Sequence, residues 1–435
     1  MKKKIILFKG GVETLGFFSI QLANAFEEMG YQTFIFDMED QFNSFNKLIN
    51  FCHKGEATII TFNFIGLSGE TIFYSENHLF FDDYKIRCLN IVVDHPFYYY
   101  KNYCRLPKNY MQFCIDKKHL QYMKRFYGNI ELGPFLPLAG TSYADININA
   151  NTDIAFNKFI DYDNFLSNRN IDIVFTGNYT PPSDFEPQIN RLGEDYSVFY
   201  KNIIDDLIAH PYLDIAEAFE QHLVAEIEDI SDSDLNTCMA NMIFIDLYIR
   251  FYMRGKVVKT LVDNGFKVDA FGNGLDMQTY KHPENLIMHG GVNSLTCLRK
   301  LATSKISLNV MPWFKDGAHD RIFNAAMNGA VNLSDGSKYL HEIFDNKNAI
   351  AFYNLSKIDD LPEITHILLS NPDKMISMSQ NAYNITSNFH TWRQRAKILE
   401  KYLQYIYNYI LQLISRLHKG VIQSNLFNIN SGVSA

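Results

Sequence analysis

Short apolar runs alternate with longer amphipathic stretches along most of the chain. Residues 4–8 turn apolar and β-branched after Lys4, which predicts a first strand. Gly10, Gly11 and Gly16 mark a turn over residues 10–16. Residues 17–30 then carry helical periodicity that stops at Gly30, as a C-cap glycine would. Residues 33–37 give a second strand ending on Asp37. Runs 57–62, 88–93 and 111–115 read as further short strands. None alternates cleanly, so each is expected to be buried on both faces of a parallel sheet. Strand, Gly-rich turn, helix, strand is the opening unit of a doubly wound sheet.

The pattern breaks at residues 132–140, which are rich in Pro and Gly, and stays polar to about residue 168. This predicts a linker. A second α/β pattern follows. Strands are expected at 171–176, 267–271, 286–289, 306–310, 330–333 and 349–353. Helices are expected at 295–303, 322–328 and 337–344, with several long ones within 190–262, including 242–261. Residues 372 to about 418 are strongly helical, and the tail from about Gly420 is polar. No repeat of 20 to 50 residues is apparent.

Two Rossmann-like α/β halves, a linker and a helical tail outline the GT-B architecture. The expected division is an acceptor-binding domain at 1–165, then a nucleotide-sugar-binding domain at 166–380 with a helical insertion at about 188–262. Residues 381–435 would be helices crossing back to the first domain, plus the tail. Leu399, Tyr402, Leu403 and Ile406 give the crossing helix an apolar face.

Composition narrows the class. The chain has 435 residues, 47% of them hydrophobic and 20% charged, which suits a globular protein of two domains. The net charge of −8, without a basic stripe, argues against nucleic acid as a partner. The apolar run after Lys2, Lys3 and Lys4 is too short for a signal peptide or a membrane span, so cytoplasmic residence is expected. The six cysteines form no C-x-x-C pair, and neither a zinc nor a redox motif is present.

Several motifs could carry chemistry. The Gly10-Gly11 loop lacks the spacing of a dinucleotide fingerprint or a P-loop. It could bring backbone close to an acceptor at a helix N-terminus, or be a plain tight turn. Asp232-Ser233-Asp234 matches a metal-binding D-x-D triplet. It lies in an acidic stretch between helices rather than at a strand end, so helix capping explains it. Asp94-His95-Pro96 follows a strand, where α/β proteins place ligands. A carboxylate beside an imidazole could deprotonate an acceptor hydroxyl, or be a cap and a packed ring. Glu13 in the first loop is the fallback base. Residues 309–353 bring the most polar groups to one edge: Asn309, Asp316, His319, Arg321, Ser334, Asp335 and Ser337. Arg321 and a helix N-terminus near Ser337 could bind a diphosphate and carry the leaving-group charge without a metal.

The run His319-Asp320-Arg321-Ile322-Phe323-Asn324-Ala325-Ala326-Met327-Asn328-Gly329-Ala330 resembles the C-terminal domain of group-1-type glycosyltransferases, in particular a CgeB-like bacterial branch. Leu333-Ser334-Asp335, Tyr248-Ile249-Arg250, Arg254, Phe271-Gly272-Asn273-Gly274 and Asp94-His95-Pro96 look like the same branch. The resemblance implies sugar transfer from a nucleotide diphosphate sugar, UDP-sugar foremost, to a protein or cell-surface glycan, with no cofactor and no metal. It implies donor contacts at Gly177, Asn178, Gly272, Asn273 and His289, and acceptor contacts at Gly10 and Gly11. Relatives often carry two glutamates eight residues apart. Here those positions hold Asp316 and Asn324, so stereochemistry is not carried over. A related epimerase or phosphorylase, or a non-catalytic binding protein, are the alternatives.

Overall fold

The computed structural model describes residues 4–52, 55–76, 78–147, 161–162, 164–344 and 347–403. Ile406 and the tail from Gly420 lie outside the described residues. The first sheet is β1 (Lys4–Lys9), β2 (Gln32–Asp37), β3 (Ala57–Phe62), β4 (Arg87–Val92) and β5 (Tyr110–Cys114), in the order β2-β1-β3-β4-β5. All its pairings are parallel. Ile5 and Leu7 of β1 enter one core, and Ile6 and Phe8 enter the core on the opposite face. That two-residue period is what a strand buried on both sides requires.

The second sheet contains β6 (Ile171–Thr176), β7 (Val268–Phe271), β8 (Leu286–Met288), β9 (Ser304–Asn309), β10 (Val331–Asp335) and β11 (Ile350–Tyr353). It too is parallel, in the order β11-β10-β9-β6-β7-β8. The chain order reverses between β6 and β9, which defines a topological switch point. The short helix Glu186–Ile189 and four longer ones, Glu194–Ala209, Ile215–Glu226, Asp232–Asn241 and Ile243–Asp263, fill the connection from β6 to β7.

The two halves share a core. Phe18 and Phe62 of the first half meet Trp392, with ring centroids 5.2 and 6.1 Å apart. Helix Trp392–Glu400 therefore lies across the first domain. Tyr31 Oη donates to Glu400 Oε1 at 2.7 Å, and Arg395 Nη2 to the Leu138 carbonyl at 2.9 Å. The described part of the Pro/Gly stretch is no loose tether. Leu136, Leu138 and Ala139 are buried, and a Cβ at Gly140 would overlap the Phe323 backbone.

Two boundaries differ from the sequence pattern. The first helix begins at Glu13, not residue 17, so the second half of the Gly-rich turn forms its first turn. Helix Asp320–Met327 begins at Asp320, with His319 as its cap.

Candidate active site

The loops after β6, β7 and β8 form one wall of a cleft of about 650 Å³, and the start of the first helix forms the other. The cleft sits at the switch point of the second sheet, where strand ends diverge and leave room for a ligand. Backbone bonds stitch its floor. Gly177 N donates to the Phe271 carbonyl at 2.9 Å, Asn273 N to Asn178 Oδ1 at 3.0 Å, and Gly291 N to Asn273 Oδ1 at 3.1 Å. Gly272 has a φ of +150°, and a Cβ there would overlap the Gly177 carbonyl. Only glycine allows these two loops to touch.

Two buried arginines face this space. Arg321 donates from Nη1 to the Thr176 carbonyl at 2.7 Å and from Nε to His319 Nδ1 at 3.2 Å. Its Nη2 is buried without a partner. Arg254, on helix Ile243–Asp263, donates from Nη1 to the Asn178 carbonyl at 2.9 Å, and its Nε is likewise unpartnered. Burial lowers the pKa of both. The charge of Arg321, followed by that of Arg250, lowers Arg254 further, whereas Asp320 and Asp335 work against the shift at Arg321. Among the described residues neither arginine makes a salt bridge. Two desolvated cations facing one cavity are costly unless an anion joins them. Three helices also start at the cleft, at Glu13, Ser294 and Asp320, which adds to the positive potential.

Glu13 spans the cleft mouth. Its carboxylate accepts from Ser294 N at 2.9 Å and from Ser294 Oγ at 2.8 Å. His319 caps its helix through Nδ1. Burial and then the Arg321 charge hold its imidazole below the usual range, against the pull of Asp320.

Of the residues expected at the site, the structure brings Glu13, Gly177, Asn178, Gly272, Asn273, His319, Arg321 and Asn324 to the cleft. Asn324 arrives with its amide engaged, accepting from Thr141 N at 2.9 Å and donating to Asp320 Oδ2 at 2.9 Å.

The others sit elsewhere, for identifiable reasons. Asp94 is no free base. It accepts from Asn63 Nδ2 at 2.9 Å and Tyr99 Oη at 3.2 Å, and lies 3.6 Å from Arg250 Nη1. His95 is buried among Phe97, His119 and Tyr122, accepts from Phe97 N, and is held well below the usual range by burial. Asp316 pairs with Lys117 at 3.2 Å, while Asp116 accepts from both Lys315 N and Asp316 N at 3.0 Å. The loop after β9 is thereby folded down onto the first domain, and it closes off the edge behind it. Asn309 donates to Ser334 Oγ inside the sheet. Asp335 accepts from Met311 N at 2.8 Å, and burial pushes it up to about 7. Ser337 donates to the Gly317 carbonyl, so its helix start faces protein and not a ligand. His289 stacks on Phe271 at 4.3 Å from outside the cleft. Gly10 and Gly11 have positive φ and shape the turn, but do not line the cleft.

Sequence reasoning missed Thr14, Phe17, Phe18, Asn293, Ser294 and Cys297 as lining residues. Arg254 was noted only as part of a resemblance. Its spacing of one turn from Arg250 on an amphipathic helix was the available signal. Asp232 of the D-x-D triplet pairs with Arg125 at 2.7 Å, and Asp234 is bonded to Ser231. Among the described residues no group of three His, Cys, Asp or Glu side chains could hold a metal ion, and no helix is long and apolar enough to cross a membrane.

Residues 254–401 match the family model described as "Glycosyl transferase-like". No curated protein sequence matches the chain. Among solved structures, the chain is similar to a sucrose-phosphate synthase from Thermosynechococcus elongatus. The identity is 10%, the match covers 94% of this chain and 100% of that one, and the TM-score is 0.50. It is also similar to an alpha-glucosyltransferase solved with UDP-glucose and DNA containing an abasic site. There the identity is 12%, the coverage 92% and 99%, and the TM-score 0.51. The fold is therefore GT-B, and the chain carries a glycosyltransferase domain. Over residues 254–401 and in its fold, the chain is similar to glycosyltransferase enzymes.

Proposed function

We propose that the cleft binds a nucleotide diphosphate sugar, UDP-sugar foremost, and transfers the sugar to a hydroxyl of a protein or cell-surface glycan. The observation that carries this reading is the pair Arg254 and Arg321, buried and unpaired beside the same cavity. In the transfer step the bond from the anomeric carbon to the diphosphate breaks and a bond from that carbon to the acceptor oxygen forms. The diphosphate leaves with the electron pair, and the two guanidiniums neutralise its charge, so no metal is needed. Glu13 takes the acceptor proton once it releases Ser294. On the first-domain side the wall is Glu13, Thr14, Phe17 and Phe18. It offers no cation for a nucleic-acid backbone, which supports an uncharged acceptor. The run from His319 to Ala330 supports the CgeB-like branch, and we place the reaction in the cytoplasm.

A thermal-shift screen against UDP-, GDP-, dTDP- and CMP-sugars tests the donor. A donor at about 100 times its Kd should stabilise the fold by about 2.7 kcal/mol. Stabilisation by none of them sinks the proposal. Transfer should survive EDTA and the substitution Asp232→Ala. Loss with EDTA and recovery with Mn²⁺ would refute metal independence.

A further inference from the structure

Arg254 makes no salt bridge among the described residues and is offset at a distance by the charge of Asp246, whereas its neighbour one turn earlier is paired with two carboxylates, although its Nε too is left without a partner. Arg250 Nη2 donates to Asp246 Oδ2 at 2.8 Å, and Nη1 lies 3.6 Å from Asp94 Oδ1. Asp246 also accepts from Tyr98 Oη at 2.6 Å. Tyr98 and Asp94 belong to the first domain, so Arg250 is fixed from both halves of the molecule. Both guanidiniums lie against one ring. Arg250 Cζ is 4.2 Å from the Trp313 centroid, and Arg254 Cζ is 5.0 Å from it. Trp313 is buried in the loop after β9 and does not line the cleft.

Arg254 has reason to move. It is a long side chain with many rotamers, and Arg321 repels it. The Asn178 carbonyl, the Phe251 ring at 5.5 Å, Trp313 and the charge of Asp246 oppose this. We propose that Trp313 is a positioning residue: held by the Arg250–Asp246 pair, its ring keeps the Arg254 guanidinium aimed at the donor diphosphate. This rests on the donor reading above. It makes Asp94, Tyr98, Asp246, Arg250 and Trp313 a support that begins in the first domain and ends at the phosphate site.

The test is a double-mutant cycle read by calorimetry, with UDP and uridine as probes. Arg254→Ala should weaken UDP and spare uridine. Trp313→Leu should weaken UDP by about tenfold, the scale of a desolvated cation–π contact, and also spare uridine. In the Arg254→Ala background, Trp313→Leu should cost nothing more. Trp313→Phe, which keeps a ring, should restore most of the UDP affinity. General damage to the fold would weaken uridine as much as UDP, and that result overturns the proposal. So does full additivity of the two substitutions, or no effect of Trp313→Leu beside a clear effect of Arg254→Ala. If Arg254→Ala itself leaves UDP binding intact, the donor reading fails along with the support.

Discussion

At the scale of single residues, the site turns on which polar groups are already satisfied. Asp94 and Glu13 are both carboxylates at strand-to-helix connections of the first domain, and the sequence pattern puts Asp94 first with Glu13 as the fallback. Asp94 accepts two hydrogen bonds and pairs with Arg250, while Glu13 is bonded to Ser294 at the cleft mouth. Glu13→Gln should therefore cut transfer by about 10²–10⁴ and abolish the acidic limb of the pH–rate profile. Asp94→Asn loosens Arg250, so it should raise the donor KM and leave that limb in place. Steady-state profiles of the two variants separate the roles, and a lost limb in Asp94→Asn would reverse them. Arg321 was legible because it sits at a predicted helix start. Asp316, Asp335 and Ser337 lie away from the cleft for a physical reason. A strand end delivers side chains to an edge, but the next loop decides whether that edge stays open. Here Asp116 binds the backbone of that loop and closes the edge.

At the scale of elements, every strand expected in the two halves is present, since short apolar runs between Gly-rich turns have no other stable home. Helix starts were less legible, because a histidine cap such as His319 is not among the residue types that usually mark a helix start. Helix Trp392–Glu400 shows how such an element is held. His390, just before it, stacks on Phe323 with centroids 4.7 Å apart, and its Nδ1 accepts from Arg395 Nη2 at 2.9 Å. Burial, helped by the Arg395 charge, pushes its pKa down to about 3. An unfolded histidine titrates near ~6.5, so the folded state binds fewer protons between about 3 and ~6.5. Stability from this residue is complete above ~6.5 and is lost as pH falls, by at most about 1.4 kcal/mol per pH unit. Asp335, raised to about 7, acts in the opposite direction over an overlapping range. The urea midpoint of His390→Gln should consequently drop less between pH 7 and pH 5 than that of the unaltered chain. An equal drop would remove His390 from the account.

At the scale of the whole molecule, the two domains are not free bodies hinged at a linker. They share one apolar core through Phe18, Phe314 and Trp392, and the loop after β9 is stitched to Asp116, just past the end of β5. Sequence periodicity showed two sheets and could not show this, because a shared core looks like two separate ones until the faces meet. Motion that admits a donor is thus expected to be small and centred on the Glu13–Ser294 clasp. The central claim is that the cleft between these domains receives a donor diphosphate at Arg321. Calorimetric titration of UDP into the unaltered protein and into Arg321→Ala tests it most directly. Loss of one charge-assisted phosphate contact should weaken binding by about tenfold or more, since such bonds are worth about 1.5–3 kcal/mol. Equal UDP affinity in the two proteins would contradict the placement of the donor, and with it the assignment of the cleft.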